Sequence, residues 1–102
     1  MRVKIGPYRD NEGRKVKIEI DDQDLWNLDH TLALIIHPAL MRFKNASKGQ
    51  YPGNLNSVAE WQDTVDKMIF AFKHIIDDDW KDGEKVQVGL DLFAKYFQAL
   101  WT

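Results

Sequence analysis

Residues 25–43 read LWNLDHTLALIIHPALMRF, and the recurrence of their apolar side chains sets the expected architecture. Leu25, Leu28, Leu32, Ile35, Ile36, Ala39 and Phe43 fall at the three- and four-residue spacing of one helix face. Trp26, Ala33, Leu34 and Leu40 widen that face until little of the middle is polar. A helix apolar on most sides is expected at the centre of a fold, with neighbours on more than one flank. Asp24, Asp29, His30 and His37 interrupt it and are the residues to question. Pro38 removes a backbone donor and crowds the preceding turn, so a kink near His37 or a split helix is expected.

The chain has 102 residues, which fits a single domain spanning 1–102. Four Trp, five Phe and three Tyr supply a core that so short a chain would otherwise lack. A net charge of −2 argues against nucleic acid, whose phosphates demand a basic face. With no Cys, disulfides, thiolate zinc and a Cys nucleophile are excluded. No apolar run has the length of a membrane span, and MRVKIGPYR lacks the apolar core of a signal peptide. A soluble protein with no membrane association is expected.

Outside the central stretch, Val3 and Ile5 alternate with Arg2 and Lys4, and RKVKIEI (14–20) again has period two. Two short antiparallel strands follow, joined by a polar loop ending at Gly13, with their apolar face expected under helices. Lys4, Lys15 and Lys17 lie on the outer face, which reads as a soluble edge or, in the alternative, an anion site. Asp21, Asp22 and Asp24 suit the start of the first helix. NASKGQYPGNLN (45–56) is the main loop, and Asn45-Ala46-Ser47 has the form of a glycosylation sequon.

Asn56 or Ser57 caps a second helix, with Glu60 three residues past Ser57 as in a capping box, and Val58, Trp61, Val65, Met68, Ile69, Phe72, Ile75 and Ile76 stripe it. A third helix is expected over 84–100. Val86, Leu90, Phe93, Phe97 and Leu100 lie on one face; Val88, Leu92, Tyr96 and Ala99 lie on another. Gly89 is costly inside a helix, which points to a close helix contact there. The expected fold is α+β, an N-terminal β-hairpin packed on a bundle of three helices. The second apolar face of helix three, with Trp101, predicts a homo-oligomer contact.

KIGPY at 4–8, WNLDHTLALIIHPAL at 26–40, DKMIFAF at 66–72, DDDW at 77–80 and GLDLFAKYFQALW at 89–101 together resemble a family of small uncharacterised bacteriophage proteins. The likeness runs in the same order over most of the chain. Similar proteins are often longer, with an insert rich in Trp, Pro and Tyr after the KIGPY segment and another after the acidic run. The resemblance implies a phage origin and a place in the host cytoplasm.

His30 and His37 lie about 10 Å apart along a helix, too far to share a metal. Trp26, Asp29, His30 and His37 are the candidate ligand-binding residues; the competing reading makes Asp29 and His30 a structural anchor. His74, Asp77 and Asp78 share a helix surface at metal-ligand spacing, yet they are expected to be ordinary surface charge, with no metal and no cofactor. Three carboxylates at a helix C-terminus oppose its dipole, so nearby cations such as Lys81, Lys85 or hairpin residues are expected to offset them. No phosphate loop, nucleophile elbow or HExxH occurs. The expected function is therefore binding and not catalysis: an accessory protein that sequesters a small nucleotide-type ligand or blocks a host protein in counter-defence. A structural or assembly component of the phage particle is the alternative, and a metal-dependent hydrolase built on His74, Asp77 and Asp78 is the third.

Overall fold

The protein is described by a computed structural model that covers residues 1–9, 12–46 and 49–101. Strands β1 (Arg2–Ile5) and β2 (Val16–Glu19) pair antiparallel, with Val3 opposite Ile18 and Ile5 opposite Val16. A short 3-10 helix (Asp22–Leu25) leads into α1 (Leu28–Ala46). Then come α2 (Val58–Ile76), α3 (Gly83–Tyr96) and a last 3-10 turn at Phe97–Ala99. The fold is α+β, with an N-terminal hairpin and three helices that pack together. No helix among the described residues is long and apolar enough to cross a membrane.

Helix α2 is the middle of the assembly. Both α1 and α3 pack on it, while α1 and α3 do not pack on each other. Trp61, Val65, Met68, Ala71 and Phe72 of α2 are buried, and Ala33 and Leu40 of α1 and Tyr96 of α3 close over them. Trp61 joins the layers: Phe43 meets its ring edge-on at 6.3 Å and Tyr96 at 5.4 Å. The expectation that the 25–43 stretch is the centre is thus corrected. Its buried face is also a different one. Ala33, Ile36, Leu40 and Phe43 turn to α2, whereas Leu28, Leu32, Ile35 and Ala39 face outward. A helix apolar on most sides carries no phase, and α2 has the cleaner stripe.

Helix α1 runs through Pro38 without splitting. Pro38 and Leu34 are both exposed, so the Leu34 carbonyl left without its helical donor lies on the solvent side. Ser57 caps α2, its hydroxyl accepting from the Glu60 N–H at 3.1 Å while the Glu60 carboxylate accepts from the Asn56 N–H at 3.0 Å. The loop after α1 is tied down where Asn54 donates to the Tyr96 hydroxyl at 2.9 Å. Ser47, and with it the sequon, lies outside the described residues, as do Lys48, Asp10 and Asn11.

The hairpin differs from expectation in one respect. Its apolar side chains, Val3, Ile5, Val16, Ile18 and Ile20, are 42–59% exposed and no helix covers them. The hairpin is held at its root instead, by the Met1 α-amine against the Asp24 carboxylate at 2.8 Å. Asp24 in turn accepts from the Asp21 N–H at 2.8 Å, and its carbonyl accepts from the Thr31 hydroxyl at 3.2 Å. A four-residue strand pair anchored at one end projects from the helices and does not fold back on them.

Candidate functional site

The α2–α3 connection is where side chains from separate elements converge. Helix α2 ends with Asp77 as its cap, and Asp78 follows with φ of 54°, a left-handed conformation more usual for Gly. The Asp78 N–H bonds to the Ile75 carbonyl at 3.3 Å and the Asp79 N–H to the His74 carbonyl at 3.0 Å. This closes the helix with a Schellman turn. The reversal swings Asp79 and Asp82 back across the last turn of α2.

His74 is the pivot. Its ring lies against Phe70 with centroids 3.9 Å apart, and its Nδ1–H donates to the Phe70 carbonyl at 3.0 Å. Nδ1 therefore carries a proton, since a carbonyl only accepts. Nε2 then points at two carboxylates, Asp79 Oδ2 at 3.7 Å and Asp82 Oδ2 at 3.6 Å. The other Asp79 oxygen accepts from the Lys81 N–H at 3.0 Å. The cluster is therefore His74 with Asp79 and Asp82, not His74 with Asp77 and Asp78. Asp77 turns to Lys73 at 3.2 Å, so Lys73 offsets the helix end, rather than Lys81, Lys85 or the hairpin. Among the described residues no group of three or more His, Asp or Glu side chains is arranged to hold a metal ion.

A cleft of about 190 Å³ lies beside this turn, lined among others by Asp29 of α1, His74, Asp78, Asp79 and Trp80. Trp80 is 84% exposed, so its indole face is open beside three carboxylates. Of the residues proposed from sequence as ligand-binding, only Asp29 reaches this cleft. Trp26 stands 77% exposed at the start of α1, away from the cleft lining. His30 and His37 are half-buried along the side of α1 that carries Ala33 and Leu40. Neither the Asp29 nor the His30 side chain makes a hydrogen bond or ion pair among the described residues, so the expected anchoring of a neighbouring loop or the hairpin by these two is not formed. Trp80 and Asp79 were legible only as part of an acidic run; their convergence with Asp29 depends on the left-handed Asp78.

A second concavity lies on the hairpin. Lys4, Arg9, Lys15 and Lys17 line it with Glu12, and Lys4 stands directly opposite Lys17 across the strands. Like charges in that register repel, and only Lys17 of the pair has a carboxylate partner among the described residues, Glu19 at 3.5 Å.

No protein family, characterised protein or solved structure matches this chain.

Proposed function

We propose that this is a phage accessory protein that acts by binding, and that it docks a basic segment of a host protein in the host cytoplasm. The observation that carries the reading is the exposed Trp80 indole beside Asp29, Asp78 and Asp79. An Arg or Lys side chain laid on an indole gains about 0.5–1 kcal/mol at an exposed site, and flanking carboxylates add charge-assisted hydrogen bonds. The same carboxylates repel phosphate, so this cleft does not suit a nucleotide. Titration with an arginine-rich peptide and an acidic peptide of equal length tests the reading. Binding of the basic peptide alone, with a change in tryptophan fluorescence that Trp80→Phe removes, is expected. Equal binding of both peptides, or of neither, overturns it.

A second reading has its own observation. The Lys4–Lys17 pair with Lys15 and Arg9 is a cationic face that a small phosphate-bearing ligand would neutralise. Under this reading a nucleoside monophosphate raises the melting temperature by mass action, and Lys17→Ala removes the rise. No shift at millimolar ligand ends it.

A further inference from the structure

Among the apolar faces that lie open in the described residues, two match each other. One is the hairpin face of Val3, Ile5, Val16, Ile18 and Ile20. The other is the outer stripe of α1, where Leu28, Leu32 and Ile35 are 39–42% exposed. From Val16 to Ile20 the strand advances about 13 Å, and from Leu28 to Ile35 the helix advances about 10 Å. We infer that a second copy of this chain covers both: the hairpin of each protomer packs its apolar face on the outer stripe of its partner's α1.

The area and shape of the single chain support a partner of its own size. The accessible surface is 7917 Å², whereas a compact monomer of this mass exposes about 6,000 Å². The radius of gyration is 15.4 Å, against about 13 Å for a compact chain of this length. The excess is thus about 2,000 Å² per chain. Buried reciprocally in a two-fold dimer, it gives about 4,000 Å² in total, within the range of obligate homodimers. A basic peptide in the Trp80 cleft would cover neither face.

The hairpin itself supplies an independent reason. A two-stranded ribbon is marginal in water unless something packs on it, and among the described residues no other element does. Its root is fixed beside the start of α1 by the Met1–Asp24 pair. A two-fold axis near that root therefore carries each hairpin across the other α1. The outer face of α3 is a poorer candidate: Tyr96 is buried, Leu92 is half-buried in the core, and Val88 shares a concavity with Phe70 that is otherwise lined by Asp66, Lys67, Glu84 and Lys85. Of the other residues expected at a subunit contact, Ala99 is half-buried and Trp101 is 66% exposed; the inferred contact runs through α1 and the hairpin.

The test is sedimentation of the full chain with two charge insertions, Ile18→Glu in the hairpin and Leu32→Glu on α1. The native chain is expected to be a dimer at micromolar concentration, and each variant is expected to weaken it by about 100-fold or more. Val88→Glu, on the outer face of α3, should leave the dimer intact. Mixing the two variants is the decisive step. In the exchanged dimer the unaltered hairpin of Leu32→Glu meets the unaltered α1 of Ile18→Glu, so a heterodimer forms where neither variant self-associates. A monomeric native chain, a dimer that survives either Glu substitution, or a mixture that stays monomeric overturns the proposal. Circular dichroism checks that each variant is folded, and Ile18→Thr with Leu32→Gln repeats the test with milder changes should either Glu variant lose helix.

Discussion

Gly89 of α3 packs against the backbone of Lys67 in α2, so closely that a Cβ on Gly89 would overlap the Lys67 carbonyl oxygen. The same Cβ would lie 2.5 Å from the Ala71 side chain. The α2–α3 packing therefore depends on the missing methyl. Gly89→Ala gains about 1 kcal/mol of helix propensity, yet overpacking against a backbone atom costs about 1–3 kcal/mol or more. The expected outcome is net destabilisation, larger for Gly89→Val, measured by urea melts. A stabilised Gly89→Ala variant would refute the close approach.

Trp61 is the residue through which all three helices meet. Truncating it to Ala should cost about 3–5 kcal/mol, the range for a buried aromatic and a large share of the roughly 5–15 kcal/mol that holds an ordinary domain folded. Tyr96→Phe keeps the ring and removes only the acceptor for Asn54, so a loss of about 0.5–1.5 kcal/mol is expected. The two melts read the core and the loop tether separately.

The hairpin root should respond to pH at both ends of the range. The hydrogen bond from the Met1 ammonium, helped by the Asp21 N–H, holds the Asp24 carboxyl below its ordinary value. The same bond raises the Met1 amine above its own. Asp24 thus contributes stability that is present above the ordinary carboxylate value and lost as pH falls through its lowered one. The amine contributes stability that is present below the ordinary α-amino value and lost as pH rises through its raised one. Amide protection in β1 and β2, followed by hydrogen exchange, should be greatest between the two limits. Asp24→Asn or N-terminal acetylation should flatten the profile.

Asp78 trades stability for position. Its left-handed φ is a conformation that Gly adopts freely. Asp78→Gly should raise stability by about 0.5–1 kcal/mol, while removing one carboxylate from the Trp80 cleft. Thermal melts run beside basic-peptide titrations should show the two effects with opposite sign.

Asp29→Ala and His30→Ala should part company in the same assays. Asp29 is exposed and lines the cleft, so its loss should leave stability within about 0.5 kcal/mol and weaken peptide binding. His30 is half-buried beside the core face of α1 and should affect stability without touching binding. A binding defect in His30→Ala alone would move the site back along α1.

What local pattern can encode was legible in the residues themselves. Period-two alternation marked both strands, Ser57 and Glu60 marked the start of α2, and a Gly at position 89 of a helical stretch marked a close contact. Each is a relation between neighbours in the chain, decided by backbone geometry within a turn or two. The phase of α1 was not legible, because a helix apolar nearly all round offers several faces and only packing on α2 selects one. Tyr96 went to the core rather than the surface for a related reason: Trp61 offers it an edge and Asn54 a hydrogen bond, both distant in sequence. The Trp80 cleft required the Asp78 turn to bring Asp79 and Asp82 back to His74, and α1 to deliver Asp29 from the far side of α2. Spacing along one helix cannot register that, since the side chains that meet belong to elements whose mutual placement is set by the buried core.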